Sequence, residues 1–174
     1  MRKKLLLLGM ALVALVSLQA CDDDDDDEDY PIKPAQVEQK FIDAFRQKYP
    51  NADMSKVKWE QKQNYTVAEF DRIANVETEV WFNSSAVWMM TEEDLGKDLF
   101  LIPTAVNAAF NNTAYATAKI DDIKHYTTNT LDYYIIEVDQ SPSADMQLYF
   151  LPDGTLKKTA PDSGAEIYPD TTPF

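Results

Sequence analysis

The sequence predicts an α+β fold of two tandem units, each with one helix packed on a four-stranded antiparallel β-meander. Two observations predict it. The body of the chain carries one order of residue types twice, and each copy places a helix-spaced apolar stripe before four short strand-like runs. A chain of 174 residues is long enough for two such units, which we expect at residues 35–95 and 96–160.

The duplication is clearest in the strand-like runs. Residues 64–71 (NYTVAEFD) recur as residues 132–139 (DYYIIEVD), and residues 79–82 (EVWF) recur as residues 147–150 (QLYF). Both pairs lie 68 positions apart. Because the matches keep the same order in each copy, we interpret them as an internal repeat.

Each copy begins with apolar residues at spacings of three and four, which is typical of an amphipathic helix. Pro50 ends the first helix, and Pro103 suits the first turn of the second. The stripe residues are Val37, Phe41, Ala44, Phe45 and Tyr49 in the first copy, and Val106, Ala109 and Phe110 in the second.

Eight runs rich in β-branched and aromatic residues predict strands. Short turns, such as Pro-Asp-Gly at residues 152–154, join consecutive runs and favour antiparallel pairing. The predicted strands are residues 56–61, 64–71, 76–83, 86–91, 120–127, 131–139, 145–151 and 155–159.

Alternation along the strands assigns their side chains to two faces. The face under the helices is expected to hold Thr66, Ala68, Phe70, Val80, Phe82, Tyr134, Ile136, Val138, Leu148 and Phe150. The opposite face is rich in aromatic residues, and an exposed aromatic patch marks an interaction site. We therefore predict a partner-binding face made of Tyr65, Val67, Glu69, Glu79, Trp81, Tyr133, Ile135, Glu137, Gln147 and Tyr149. Two alternatives stay open: the other unit or a loop covers this face, or a one-residue register shift exchanges the faces.

Residues 1–20 have the features of a cleavable secretory signal. Basic residues at positions 2–4 precede an apolar run over residues 5–18, which is too short to span a bilayer comfortably as a helix. Residues 18–21 (LQAC) resemble the lipobox of bacterial lipoproteins, which implies cleavage before Cys21 and a lipid on its sulfur. Two or three acyl chains hold a protein firmly on a membrane.

The lipid-bearing residue is followed by eight consecutive acidic residues at positions 22–29, which repel one another and bury nothing. We predict that residues 21–34 form the lipidated cysteine and a disordered tether, and that residues 161–174 form a C-terminal tail. The expected location is the outer membrane, with the body facing the periplasm or the cell surface. The net charge of -14 opposes binding to nucleic acid.

Several short motifs follow one another in a characteristic order at residues 49–52, 57–60, 65–70, 79–82, 88–92, 101–103, 106–110, 133–138 and 148–156. Their order resembles the PepSY-like family of envelope lipoproteins, which is also described as β-lactamase-inhibitor-like. The resemblance covers roughly residues 36–158 and implies helices packed on four-stranded antiparallel sheets. The namesake inhibitor grips an enzyme with the surface of its sheets, and the family's pattern contains no catalytic residue.

The chain lacks the residue sets that enzymes and metal sites need. His125 is the only histidine and Cys21 the only cysteine, so a zinc site and a cysteine nucleophile are not expected. No serine lies in a nucleophile-elbow motif. We therefore expect no enzyme activity, metal or cofactor. The expected function is binding of an envelope protein partner, and an enzyme that the protein inhibits, such as a peptidase or hydrolase, is one such partner. The alternative is an envelope lipoprotein that binds a small ligand or has a structural role.

Overall fold

The computed structural model describes residues 30–33 and 36–174; the predicted signal, Cys21 and the acidic run lie outside them. Nine antiparallel strands form one sheet in chain order, and two helices accompany it. No helix among the described residues is long and apolar enough to cross a membrane. The elements are β1 (Tyr30–Ile32), α1 (Gln39–Lys48), β2 (Lys58–Lys62), β3 (Tyr65–Ile73), β4 (Val76–Phe82), β5 (Trp88–Asp94), α2 (Thr104–Phe110), β6 (Ile120–Thr128), β7 (Asp132–Val138), β8 (Met146–Phe150) and β9 (Leu156–Pro161).

The sheet is continuous, so the prediction of two tandem units, each with its own four-stranded meander, is wrong. Strand β5 pairs with β6 from Met90 opposite Thr128 to Asp94 opposite Lys124. Two separate meanders would leave an unpaired row of backbone groups on each of these strands. Pairing β5 with β6 satisfies both rows and makes one sheet.

Strand β1 corrects the predicted tether, because residues 30–32 belong to the sheet. Tyr30 lies opposite Gln61 and Ile32 opposite Trp59. Pro31 is tolerated there because β1 is an edge strand. No strand lies on the outer side of β1, so the missing backbone N–H of proline costs no hydrogen bond on that side. Ile32 packs against the apolar residues under α1, which gives this edge strand a hydrophobic contact.

Both helices pack on one face of the sheet, here called the helix face. Phe45 of α1 is fully buried and meets Trp59 and Phe70 edge to face. Val106 and Phe110 of α2 are buried in the second cluster. The predicted assignment of side chains to this face is therefore confirmed by two clusters, which contain Ala68, Phe70, Val80 and Phe82 under α1, and Tyr134, Ile136, Val138, Leu148 and Phe150 under α2.

The turn between β8 and β9 depends on Gly154. Its φ is +86°, and a Cβ built there would lie 2.6 Å from the carbonyl oxygen of Ala105 in α2. Glycine therefore supplies both the left-handed conformation and the close approach of the turn to the helix.

Candidate partner-binding face

The ten residues of the predicted partner face lie together on the sheet face opposite the helices. Cross-strand pairs show it: Val67 lies opposite Trp81, and Ile135 lies opposite Tyr149. The two halves are continuous because Glu92 in β5 lies opposite both Glu79 and Tyr126. A one-residue register shift is thereby ruled out.

This face is not open to water, so that part of the prediction is wrong. Five of its residues are at most 6% exposed: Val67, Trp81, Tyr133, Ile135 and Tyr149. The cover is residues 162–174, here called the C-terminal segment, whose Ile167, Tyr168 and Phe174 pack on the sheet. We call the sheet face beneath it the covered face. Among the alternatives weighed from sequence, cover by a loop is the one that the structure shows.

Three side chains anchor the C-terminal segment. The Lys62 ammonium of β2 donates to Glu166 Oε1 at 2.7 Å. The Tyr168 ring stacks with Tyr65 at 6.5 Å between centroids and meets Trp81 edge to face at 5.6 Å. The Phe174 ring meets Tyr133 edge to face at 5.8 Å. Aromatic pairs in these arrangements contribute beyond the area that they bury.

Polar bonds at the two ends of the segment complete its attachment. Gln147 Nε2 donates to Asp162 Oδ1 at 2.7 Å, and Lys158 Nζ donates to the Pro173 carbonyl at 2.9 Å. Among the described residues, no backbone–backbone hydrogen bond joins residues 163–174 to the sheet; the last such bond comes from the Asp162 N–H. The segment is therefore held mainly by side chains.

A cleft of about 460 Å³ remains open between the covered face and the segment, and we call it the acidic cleft. Nine carboxylates line it, against two lysines. Four predicted face residues contribute, namely Glu79, Ile135, Glu137 and Gln147. The carboxylates are Glu77, Glu79, Glu92, Asp94, Asp121, Asp122, Glu137, Asp162 and Glu166, and the lysines are Lys62 and Lys124.

Three of the acids on the covered face form a row across neighbouring strands. Glu69, Glu79 and Glu92 lie directly opposite one another in β3, β4 and β5. Like charges in such positions destabilise a sheet unless they are compensated. Each acid has one lysine: Lys58 binds Glu69, Lys62 binds Glu79 at 3.0 Å, and Lys124 binds Glu92 at 2.6 Å.

The lysines do not neutralise the acidic cleft fully. Burial and the neighbouring Glu92 charge raise the pKa of Glu79 to about 7, although Lys62 acts in the opposite direction. Burial and Asp162 also raise the pKa of Glu137. Protons therefore compensate part of the charge at neutral pH, because the carboxylates outnumber the cations around them.

Lys62 is the most constrained cation on this face. Its side chain is 7% exposed, and its ammonium lies 2.7 Å from Glu166, 3.0 Å from Glu79 and 3.4 Å from Glu60. Burial by itself lowers the pKa of Lys62, but the bonds and charges of Glu166 and Glu79 outweigh it, and the net pKa is raised. Lys62 therefore stays charged and ties the segment to the sheet.

His125 lies on the helix face, away from the acidic cleft. Its Nδ1 is 2.8 Å from Glu93 Oε2, its Nε2 is 2.7 Å from Asp132 Oδ1, and its ring stacks on Tyr134 at 4.3 Å. Burial lowers the pKa of His125, but the bonds to Glu93 and Asp132 outweigh it and raise the pKa. The ring links β5, β6 and β7, as expected of a structural histidine.

One group among the described residues has the spacing for a metal ion. Carboxylate oxygens of Asp121, Asp139 and Asp145 lie within 4.8 Å of one another. Lys119 Nζ lies 2.8 Å from Asp121 and 3.6 Å from Asp139, so an ammonium already compensates two of these charges.

Several residues of the site were missed from sequence. Lys62, Glu92 and Lys124 lie within the predicted strands or directly next to them. The alternation of side chains along these strands could have assigned the three residues to the covered face. Glu166 and Tyr168 lie in a stretch without helical or strand periodicity. Their only signal is the presence of Ile167, Tyr168 and Phe174 in a tail that follows a sheet with an uncovered aromatic face.

The fold and the face define an antiparallel-sheet protein with a polar cleft and a segment laid across it. A family model described as "Putative beta-lactamase-inhibitor-like, PepSY-like" matches residues 68–158, which is more than half of the chain. The chain belongs to this family. The resemblance inferred from sequence is thereby confirmed.

Solved structures from Bacteroides species share this fold. A BLIP-like protein of Bacteroides fragilis is 31% identical, with a TM-score of 0.66 over 78% of this chain and 91% of its own. A DUF2874 family protein of Bacteroides ovatus is 29% identical, with a TM-score of 0.63 over 70% and 85%. A structure from Bacteroides eggerthii, described as "putative periplasmic proteins", is 24% identical, with a TM-score of 0.64 over 74% and 91%. Comparison with curated proteins finds no match.

Proposed function

We propose that the protein is a non-enzymatic, lipid-anchored envelope protein that binds a protein partner through its covered face, with the acidic cleft as the point of entry. Membership of a family described as β-lactamase-inhibitor-like supports a binding role. The cleft supports the location of the site, because it opens onto the predicted face and includes four of the predicted residues.

The observation that carries the proposal is the uncompensated charge of the acidic cleft. Nine carboxylates line the cleft, and four lysines compensate them: Lys62 and Lys124 line the cleft, while Lys97 and Lys119 bind Asp121. The acids therefore outnumber the cations, and the pKa of Glu79 is raised to about 7. A cation entering the cleft would favour the ionised carboxylates and replace the protons that now compensate them. The partner we propose therefore presents a lysine or arginine side chain, and its attraction to the cleft also speeds its association.

Inhibition is the specific form of binding that the family's description suggests. One relative is called BLIP-like, and the family model is described as beta-lactamase-inhibitor-like. We propose a peptidase or hydrolase of the envelope as the partner that this protein inhibits. A basic side chain near the active-site rim of that enzyme would match the charge of the acidic cleft.

Charge removal in the acidic cleft tests the proposal. Full-length protein purified in detergent is immobilised, and proteins retained from an envelope extract are identified. Glu79→Gln with Glu137→Gln keeps the side-chain shapes and should weaken capture of a specific partner about tenfold or more. The matched control is Glu38→Gln with Asp43→Asn, at exposed positions near α1. Equal capture of the partner by both variants would show that the acidic cleft does not bind it.

The envelope location rests on residues 1–21, with the periplasmic description of a structural relative as a weaker support. We propose that Cys21 carries the lipid and that the outer membrane holds the protein. Cells supplied with labelled fatty acid should label the wild-type chain and leave Cys21→Ala unlabelled. Equal labelling of both chains would contradict the anchor, without bearing on the acidic cleft.

Small-ligand binding is the second candidate, because about 460 Å³ lies within the size range of ligand pockets. Such pockets are mostly apolar, whereas this one is lined largely by charged groups. A small molecule that co-purifies with the wild-type protein and is lost from Glu79→Gln with Glu137→Gln would favour this function over protein binding.

A further inference from the structure

The C-terminal segment occupies the covered face in the way a bound peptide would. It contains no helix or strand, and side chains make its main contacts with the sheet. An element without ladder bonds opens at a lower free-energy cost than the paired strands of a sheet. Departure of the segment would therefore break no pairing among the nine strands.

The site under the segment has a definite chemistry. Lys62 lies opposite Tyr65 in the sheet, and its ammonium is 5.1 Å from the centroid of the Trp81 ring. The C-terminal segment places the Glu166 carboxylate on the Lys62 ammonium and, two residues later, the Tyr168 ring against Trp81. A carboxylate bonded to a buried ammonium is a charge-assisted contact, stronger than a neutral hydrogen bond.

The chain's own segment leaves one polar group of this site unsatisfied. Trp81 is fully buried, and its indole N–H has no hydrogen-bond partner among the described residues. Leaving a buried donor unpaired costs free energy that a better-matched ligand would recover. A segment that offers an acceptor to this N–H would therefore bind the site better than Tyr168 and its neighbours do.

We propose that the C-terminal segment is an intramolecular stand-in for a partner's segment. The site of Lys62, Tyr65 and Trp81 recognises an extended peptide with a carboxylate two residues before an aromatic ring. A partner that carries such a peptide displaces the chain's own segment when it binds. This inference rests on the proposed function, since it adds a second subsite at the end of the acidic cleft that Lys62 lines.

The test uses a fluorescent peptide with the sequence of residues 162–174 (DSGAEIYPDTTPF) as the probe. The receiving proteins are full-length wild type, Tyr168→Ala with Phe174→Ala, and Thr172→Ala, whose side chain is exposed in the same segment. In wild type the attached segment competes at a high effective concentration. The double variant should therefore bind the probe at least about tenfold more tightly than wild type or Thr172→Ala.

Changes in the probe test the chemistry of the site without altering the protein. A probe with Glu166→Gln should bind the double variant about tenfold more weakly, because the charge on the Lys62 partner is lost. A probe with Thr172→Ala should bind as the parent does. No binding to a folded double variant, or binding that ignores Glu166→Gln, would overturn the inference.

A measurement on wild type covers the case in which the double variant does not fold. Excess unlabelled probe should speed amide hydrogen exchange in residues 163–174 of the protein and leave the strands of the helix-face core unchanged. If saturating probe leaves the exchange of residues 163–174 unaltered, the probe does not displace the segment and the inference is overturned.

Failure of this inference differs from failure of the proposed function. Partner capture that depends on Glu79 and Glu137, combined with no probe binding, would keep the acidic cleft and reject the stand-in. Probe binding that depends on Glu166, combined with no partner capture, would keep the subsite and reject the cleft as the entry point.

Discussion

The two faces of the sheet are closed by different means. Two helices seal the helix face with apolar side chains, and Phe45 and Val106 are fully buried there. Thirteen residues without a helix or strand lie across the covered face, where an ion pair and aromatic contacts accompany a smaller apolar cluster. A face that only stabilised the fold would not need nine carboxylates around an open cleft. The helix face therefore supplies most of the apolar packing of the fold, whereas binding by the covered face is our proposal.

The largest effect is expected from the helix face. Phe45→Ala removes a fully buried ring that contacts Trp59 and Phe70, and should lower the free energy of unfolding by about 3–5 kcal/mol. Denaturant unfolding followed by circular dichroism measures it. A loss below about 1 kcal/mol would show that this face is not the main source of stability.

The next effect is expected at Lys62, the cation that links the segment to the sheet. Lys62→Met leaves Glu79 buried without its ammonium and should cost about 3 kcal/mol at pH 8. The control is Lys58→Met, because Lys58 is 74% exposed and solvent screens its pair with Glu69, so its loss should change stability much less. Equal losses for the two variants, measured by urea unfolding, would contradict the special position of Lys62.

The third effect is a pH dependence from Glu79. Because folding raises its pKa from 4.5 to about 7, its contribution to stability is complete below pH 4.5 and is lost as the pH rises through 7. From pH 5 to pH 8 the wild type should lose about 2 kcal/mol more than Glu79→Gln does. Parallel stability curves for the two proteins would mean that Glu79 is an ordinary surface carboxylate.

The smallest effect is expected from the anchor of the C-terminal segment. Tyr168→Ala should lower the free energy of unfolding by about 1–2 kcal/mol, because its ring is only partly buried between Tyr65 and Trp81. Thr172→Ala in the same segment should stay within about 0.5 kcal/mol of wild type. Hydrogen exchange should show the Tyr168→Ala effect in residues 163–174 and not under α1. An equal loss of protection in both regions would show that the segment and the core under α1 unfold together.

Alternation made most of the sheet predictable. Residues such as Ala68, Phe70 and Ile136 recur on one side of their strands, so the strands and the helix face followed from a local pattern. The pairing of β5 with β6 did not follow, because residues 95–119 separate them and no local signal encodes such a contact. Strand β1 was missed because three residues are too few to show a period.

The composition of the candidate site was predictable, but its exposure was not. The ten face residues share one side of the sheet, as their positions in the strands indicated. Their cover comes from Ile167, Tyr168 and Phe174, which stand among prolines and a glycine and have no regular spacing. Only tertiary packing places such a segment. The predicted partner binding stays a prediction.

Photocrosslinking in intact cells tests the central claim most directly. A crosslinking amino acid replaces Asp121, on the lining of the acidic cleft, or Gln47, an exposed position on α1, in the full-length protein. The account predicts one specific protein crosslinked from position 121, lost with Glu79→Gln and Glu137→Gln, and no such product from position 47. The same product from both positions, or from position 47 alone, would contradict the assignment of binding to the covered face.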